Sequence, residues 1–197
     1  MKNNYLVQAW LVLGLSLLFG AALAGVDGAL ADKIKTNKIN ETMEQIPSLV
    51  PGATGGEKTE LDGREVYRAV DADGGQVGWV VPAAGQGFAD RIEILIGLTP
   101  SADKITGIYV LSNKETPGMG NKIVDAQWTG QFAGKSAARP LVVRKTQTTD
   151  ENAIQAITGA TISSEAVTGI VNSTVAALRN ALAAAAKKMI RRERVER

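Results

Sequence analysis

Residues 156–165 form the stretch of the chain whose chemistry best suits the binding of an anion. Its sequence, AITGATISSE, is a loop of small and hydroxyl-bearing residues that leads directly into a helical pattern. We expect Ser163 or Ser164 to cap that helix, which leaves backbone N–H groups and the positive end of the helix dipole beside Thr161. Such a position stabilises a phosphate group. The alternative is a capped helix start without a ligand, a common arrangement in proteins.

Two other stretches contain loops whose backbone can approach a ligand closely. Residues 114–120, KETPGMG, follow a predicted strand, and Pro117 with two glycines makes a tight turn there. Residues 85–88, GQGF, place a glycine-flanked aromatic side chain just before another predicted strand. Each stretch alone is an ordinary connection between elements, so neither predicts a site by itself.

The chain contains no Cys and no His, and this restricts its chemistry. Iron–sulfur clusters, haem ligated by His or thiolate, the usual zinc sites and disulfides all need ligands that it lacks. Catalytic triads that depend on His or Cys are excluded as well. We therefore predict no metal site, and a redox role would require a cofactor held by other means.

Taken together, the three stretches resemble a known family. Residues 158–161, TGAT, resemble the (Ser/Thr)-Gly-Ala-Thr motif of proteins with covalently attached FMN. Residues 115–120 resemble the Glu-Thr-Pro-Gly-Leu-Gly loop of the same FMN-binding domain, with Met119 in place of Leu, and residues 85–88 fall at its Gly-rich strand entry. Behind an N-terminal hydrophobic segment, this order resembles the G subunit of Rnf ion-translocating electron-transport complexes. The C subunit of the sodium-translocating NADH:quinone reductase is a close relative.

The resemblance implies that Thr161 carries FMN through a phosphodiester bond to its side-chain oxygen. A dedicated flavin transferase would make that bond outside the cytoplasm. Lys114 is expected to be a positive neighbour of the reduced, anionic flavin, with an ordinary solvated lysine as the alternative. Transferase substrates usually have Asp six residues before the acceptor Thr, and Gln155 stands at that position here. The other residues expected to bind the cofactor are Thr158, Gly159, Ala160, Glu115, Thr116, Gly118, Met119 and Gly120.

The function that the resemblance implies is electron transfer in a membrane-bound, ion-translocating ferredoxin:NAD oxidoreductase of the Rnf type. The chain would relay electrons through FMN between other subunits of the complex, and would bind neither ferredoxin nor NAD itself. Three alternatives stay open. They are the C subunit of a quinone reductase, a secreted binding domain, and a membrane-anchored scaffold or sensor without flavin, which Gln155 favours.

The N-terminal part of the chain predicts a membrane anchor. No charged residue lies between Lys2 and Asp27, and residues 5–26 are mostly apolar. As a helix this segment would span about 33 Å, enough for the hydrocarbon core of a bilayer. A cleaved signal peptide is the alternative, because small residues flank position 23 and position 30. Flavin attachment outside the cytoplasm implies a single-pass inner-membrane protein, with residues from about 27 onward in the periplasm or its equivalent.

The remaining pattern predicts an α+β fold with a mostly antiparallel sheet and flanking helices, preceded by the transmembrane helix. One long helix is expected from near Ser163 past Ala186, with an apolar stripe formed by Val167, Ile170, Val171, Thr174, Val175 and Leu178. Other helices are predicted at residues 33–46, ending before Pro47, and at 121–132, with Ile123, Val124 and Trp128 inward. Strands are predicted at residues 65–70, 77–81, 91–98, 105–112 and 141–145, with a turn-rich break at 51–56 and a hairpin turn at 71–75.

The distribution of charge sets the C-terminal tail apart from the rest of the chain. Residues 187–197 hold six basic and two acidic residues, so the other 186 residues carry a net charge of about −2. A basic nucleic-acid-binding face is therefore not predicted. The basic tail is expected to be a solvated helix end or a contact to lipid headgroups or partner subunits. We assign residues 1–26 to the cytoplasmic N-terminus and anchor, 27–60 to a helical linker, 61–186 to the FMN-binding domain and 187–197 to the tail.

Overall fold

The computed structural model describes residues 5–146 and 149–195. The chain forms two units, Met1–Glu41 and Thr42–Arg197. Helix α1 (Tyr5–Leu49) begins in the first unit and ends in the second. The second unit continues with strands β1 (Gly55–Leu61), β2 (Arg64–Val70), β3 (Gln76–Gln86), β4 (Arg91–Leu98) and β5 (Ile105–Ser112), the short helix α2 (Ala126–Thr129), strands β6 (Val142–Arg144) and β7 (Ala153–Gln155), and helix α3 (Thr161–Val195). The domain boundaries predicted at residues 26, 60 and 186 stay a prediction.

The apolar part of α1 is exposed in the first unit. Trp10 and Leu17, for example, each expose 76% of their surface. By length and composition α1 is a candidate membrane span, because a stretch of 18 residues within it has a mean hydropathy of 2.1. A signal sequence passes the same test. The helix predicted at residues 33–46 is present but is part of α1, which continues through Pro47 to Leu49.

The second unit is built on a five-stranded antiparallel sheet in the order β1-β2-β3-β4-β5. Each strand pairs with the next along the chain, so short turns suffice to connect them. The hairpin predicted at residues 71–75 is confirmed: the Asp71 carboxylate accepts hydrogen bonds from the Asp73 and Gly75 N–H groups, and Gly74 adopts a φ of +80°. Strands β6 and β7 form a separate parallel pair. The predicted α+β class with a mostly antiparallel sheet is therefore confirmed.

Successive side chains of β4 point to opposite faces of the sheet, and on this strand both faces are covered by a hydrophobic core. Ile94 and Ile96 belong to a core that includes α3, whereas Leu95 belongs to a second core with Ile46 and Leu49 from the end of α1. All five of these side chains expose 4% or less of their surface. The apolar stripe predicted for α3 is confirmed, since Val167, Ile170, Val171, Thr174, Val175 and Leu178 are all buried.

Three predictions about the elements are wrong. Strand β3 continues to Gln86, five residues past its predicted end at residue 81, because residues 82–86, although poor strand formers, pair with β4. Strand β1 begins at Gly55, inside the predicted break, and its sequence GGEKTEL lacks an apolar alternation because it is an edge strand with no fully buried residue. The helix predicted at 121–132 consists of α2 between two short 3₁₀ segments. Val124 is half exposed rather than inward, because a 3₁₀ segment with three residues per turn directs Ile123 to the core and rotates Val124 outward.

The predicted basic tail extends the last helix. The backbone of α3 is helical through Val195, and the side chain of Lys187 is exposed. Residues 196 and 197 and the side chains from residue 188 onward lie outside the described residues, so the expected headgroup or subunit contact stays a prediction.

Candidate functional site

The three stretches at residues 85–88, 114–120 and 156–165 come together around one cavity of about 450 Å³. Phe88 comes from the connection between β3 and β4, Thr116 and Met119 from the loop after β5, and Thr161 from the first turn of α3. This volume lies within the range typical of pockets for small molecules and cofactors. The full lining consists of Phe88, Thr116, Met119, Gly120, Gly159, Ala160, Thr161, Ile162 and Ser163.

Thr161 is the first residue of α3 and follows a tight turn. The Ala160 N–H donates to the Ile157 carbonyl at 2.9 Å, and Gly159, at the third position of this turn, has a φ of +80°. The side chain of Thr161 is half-buried. The first N–H groups of a helix have no partner within the helix, so the N-terminus of α3 presents donors and a positive dipole end at this cavity.

The predicted cap of this helix is wrong. Helix α3 begins two residues before Ser163, so both serines lie within its first turns rather than at its N-cap. The Ser164 hydroxyl instead donates to the Ala160 carbonyl at 2.9 Å and accepts from the Ile157 N–H at 3.0 Å. Ser164 therefore joins the turn to the helix, while Ser163 is directed elsewhere.

The hydroxyl of Ser163 donates a hydrogen bond to Glu115. Glu115 exposes only 4% of its surface. Its carboxylate accepts a hydrogen bond from Ser163 Oγ at 2.6 Å and another from the Ala89 N–H at 3.1 Å. It lies beneath the cavity rather than on its lining. The loop after β5 turns over it, with the Met119 N–H donating to the Thr116 carbonyl at 3.2 Å and Gly118 at a φ of +76°.

Lys114 is exposed and does not line the cavity. Its Nζ lies 3.0 Å from Asp90 Oδ2, at the far end of the β3–β4 connection. A hydrogen bond from the Arg91 N–H, at 2.7 Å, and secondly the Lys114 ammonium hold the pKa of Asp90 below its usual range. Lys114 thus forms a surface ion pair between the same two loops that Glu115 joins below.

The predicted residues divide into two groups. Thr161, Ala160, Gly159, Thr116, Met119 and Gly120 line the cavity, whereas Thr158, Lys114, Glu115 and Gly118 do not. Three lining residues were not among the predicted contacts: Phe88, Ile162 and Ser163. The glycine-flanked aromatic at 85–88 was the signal for Phe88, and Ile162 could have been inferred from its place beside Thr161. Which of these residues contact a flavin stays a prediction.

Three apolar side chains surround the opening of the cavity. Phe88, Met119 and Ile162 expose 59%, 47% and 56% of their surfaces. Large apolar side chains that cluster at a cavity mouth are typical of a ligand-binding site.

Within the described residues no three acidic side chains come close enough together to bind a metal ion.

The backbone of Gln155 is fixed by hydrogen bonds to the side chains of two other residues, whereas within the described part of the chain its own side chain makes none. The Gln155 carbonyl accepts from Trp128 Nε1 at 2.9 Å, and its N–H donates to Gln131 Oε1 at 2.7 Å. The side chain of Gln155 is exposed. Strand β7 therefore ends at a fixed peptide group, six residues before Thr161.

Comparisons with known proteins match the part of the chain that forms the cavity. A family model described as FMN-binding domain matches residues 87–176, which contain the whole cavity lining. The G subunit of the Na⁺-translocating ferredoxin:NAD⁺ oxidoreductase complex from Acetobacterium woodii is 44% identical over 119 residues, 59% of this chain and 56% of that protein. The chain thus spans little more than half the length of that relative.

A longer match and a structure extend the comparison. The G subunit of the ion-translocating oxidoreductase complex of Methanosarcina acetivorans is 31% identical over 151 residues, 73% of this chain and 78% of that protein. The crystal structure of Shewanella oneidensis NqrC aligns with a TM-score of 0.50 at 24% identity over 61% of this chain and 64% of that one, which shows a shared fold. The chain belongs to the family of G subunits of ion-translocating oxidoreductase complexes and contains their FMN-binding domain.

Proposed function

We propose that the chain is the electron-carrying subunit of an Rnf-type ion-translocating ferredoxin:NAD oxidoreductase complex and holds FMN through a phosphodiester bond on Thr161. The observation that carries the proposal is the position of Thr161, at the N-terminus of a 35-residue helix and on the lining of an apolar cavity. One end of this cavity suits a phosphate, and its mouth suits a flat aromatic ring system.

The residues present fit FMN. Phe88, Met119 and Ile162 supply apolar surface for the flavin ring, and the first turn of α3 supplies N–H donors for the phosphate. The space beside Gly159 is open, because the nearest atom to a Cβ built there would be Met119 Sδ at 3.8 Å, and the φ of +80° is what favours glycine at this position. Bound FMN would supply the electron-transfer chemistry that the side chains of this chain cannot perform.

Attachment would use the hydroxyl of Thr161. Its oxygen would form a bond to the phosphorus of an activated flavin nucleotide, the phosphorus would lose its previous leaving group, and the hydroxyl proton would pass to a base. A threonine hydroxyl is a weak nucleophile without such a base. The carboxylate of Glu115 already accepts two hydrogen bonds beneath the cavity, so we expect a separate flavin transferase to provide the base.

The membrane setting follows from α1 and from the family. We propose that α1 is retained as a single anchor in the inner membrane and that the FMN-binding domain lies in the periplasm or its equivalent, where the transferase works. Electrons would pass between this chain and other subunits of the complex. Ferredoxin and NAD would react at those subunits rather than here.

Two alternatives predict different outcomes. The C subunit of a sodium-translocating quinone reductase would carry the same flavin, but the match over 78% of a relative's length is to a G subunit, which favours the Rnf assignment. A scaffold or sensor without flavin is favoured only by Gln155 in place of Asp. It predicts an unmodified Thr161.

The test is peptide mass analysis of protein purified from its own host. We expect the peptide containing Thr161 to carry one FMN less one water, and Thr161→Ala to abolish that adduct. Thr149→Ala is the matched control, since Thr149 is exposed and lies outside both the TGAT motif and the cavity lining, and it should keep the adduct. An unmodified Thr161 in a host with an active transferase would defeat the proposal in favour of the scaffold.

A further inference from the structure

Glu115 connects the three segments that form the cavity, without lining it. We propose that Glu115 is a positioning residue whose buried carboxylate fixes the start of α3 against the loop that carries Phe88. This inference rests on the proposed function in one respect, namely that the ligand of the cavity is FMN. The positioning itself can be tested on protein without flavin.

The hydrogen bonds of Glu115 reach both walls of the cavity. Ser163, which donates to Oε2 at 2.6 Å, is two residues after Thr161 on α3. Ala89, whose N–H donates to Oε1 at 3.1 Å, follows Phe88 in the chain. Glu115 itself lies one residue before Thr116 of the lining. One carboxylate thereby sets the distance between the attachment residue and the aromatic side chain at the mouth.

Two glycines make room for this carboxylate. A Cβ built on Gly87 would lie 2.3 Å from Glu115 Oε1, and one built on Gly120 would lie 2.7 Å from Oε2 and 2.8 Å from Ser163 Oγ. At these separations a side chain at either glycine would have to displace the Glu115 carboxylate. The glycines of the two loop motifs therefore serve the packing of Glu115 at close range.

The surroundings of Glu115 favour a role in positioning over one in charge pairing. No ion pair within the described residues involves it, although the residue is nearly fully buried. A buried carboxylate without a cation is held by its hydrogen bonds alone, so geometry is what those bonds supply. The exposed Lys114–Asp90 pair joins the same two loops at the surface and offers a natural comparison.

Amide hydrogen exchange on the full-length chain, expressed in a host without flavin transferase, tests the proposal. In Glu115→Ala we expect the Ala89 amide to exchange at least about tenfold faster relative to the Leu95 amide in the centre of the sheet. Glu115→Gln should restore slow exchange, because its amide oxygen can accept from Ala89 and its NH₂ can donate to Ser163. Lys114→Ala, the surface comparison, should change the ratio of the two rates far less.

A purely structural role would have a different signature. It would speed exchange at Ala89 and Leu95 together, leave their ratio unchanged and thereby overturn the proposal. If Glu115→Ala does not fold, Ser163→Ala removes the hydrogen bond to Oε2 and leaves the one from the Ala89 N–H to Oε1. The same ratio applies, because a carboxylate that Ser163 no longer fixes should protect the Ala89 amide less well. In flavin-loaded protein we also expect Glu115→Ala, but not Lys114→Ala, to change the visible circular dichroism of the flavin.

The two proposals fail separately. Absence of the adduct on Thr161 would defeat the covalent carrier but leave the exchange ratio as a valid test of Glu115. An unchanged ratio in both Glu115→Ala and Ser163→Ala would defeat the positioning role and leave the adduct untouched.

Discussion

Glu115 and Ser163 are 48 residues apart in the chain, and the Ser163 hydroxyl donates a buried 2.6 Å hydrogen bond to Glu115 Oε2. This bond joins the loop after β5 to the first turn of α3. The motifs at residues 115–120 and 158–161 are thus parts of one structural unit. The bond also explains why Ser163 does not cap the helix on which it lies.

Ser163→Ala tests the strength of this contact. The substitution leaves a buried carboxylate with one donor fewer, which we expect to lower the free energy of unfolding by about 1–3 kcal/mol. Ser173→Ala on the same helix is the matched control, because Ser173 is exposed and its change should stay within about 0.5 kcal/mol. Chemical denaturation of the two variants provides the comparison, and equal losses would show that the Glu115 bond contributes nothing special.

Gly120→Ala should be costly for a reason specific to its neighbours. The new Cβ would lie 2.7 Å from Glu115 Oε2, so we expect a loss of about 1–3 kcal/mol from forced displacement of the carboxylate. Gly130→Ala is the control, because that glycine has open space around it and a φ of −60°. There the stability should stay constant or rise by about 0.4–1 kcal/mol. A thermal melt of each variant distinguishes the two cases.

Phe88→Ala should separate the cofactor from the fold. Phe88 exposes 59% of its surface, so its loss should change the free energy of unfolding by no more than about 0.5 kcal/mol. In flavin-loaded protein, iodide should quench flavin fluorescence more strongly because the ring is less shielded. Val124→Ala, half exposed and outside the cavity lining, is the control and should leave quenching unchanged. Equal quenching in both variants would remove Phe88 from the flavin site.

The pKa of Asp90 provides a test at the surface. Because the folded state lowers this pKa, the stabilising contribution of Asp90 is present above its unfolded pKa and is lost as the pH falls through its folded pKa. Lys114→Ala should raise the pKa of Asp90 only part of the way to its usual value, since the Arg91 N–H is the larger cause. A carboxyl titration by NMR measures this.

Asp103 is the internal reference for that titration. Hydrogen bonds from the Thr99 and Ser101 hydroxyls lower its pKa without help from Lys114. We therefore expect the pKa of Asp103 to be the same in the Lys114→Ala variant. A joint shift of both carboxyls would point to a general change in structure.

Gln155→Asp tests whether the transferase recognises position 155. We expect a larger flavinylated fraction on co-expression with a transferase, because Asp is usual there in its substrates. Stability should change by about 0.5 kcal/mol or less, since Trp128 and Gln131 hold only the backbone of this residue. Gln155→Asn controls for size without charge. An equal yield from all three proteins would show that the charge at 155 is not recognised.

Strands β2, β4 and β5 could be predicted well from the sequence. Strands β4 and β5 have the predicted bounds, and β2 begins one residue earlier, because each combines β-branched or aliphatic residues with turn residues at its ends. Strands β1 and β7 could not be predicted. Strand β1 is a charged edge strand, and β7 has three residues whose pairing with β6 depends on the surrounding fold.

The site was predictable in its segments but not in the roles of its side chains. The order of the motifs identified the loops that line the cavity, since glycines and turn residues are local signals. The burial of Glu115 beneath the cavity, the pairing of Lys114 with Asp90 and the use of Ser163 as a donor all depend on contacts between distant segments. No spacing within a single segment indicates them.

The last turns of α1 have a practical consequence for obtaining the domain in water. Ile46, Leu49 and Val50 are buried against Tyr67 and Leu95 on one face of the sheet. A truncation that begins at residue 42 would discard the hydrophobic segment and keep this face covered. One that begins at residue 55 would expose it, and we expect such a fragment to aggregate rather than to yield a monomeric domain.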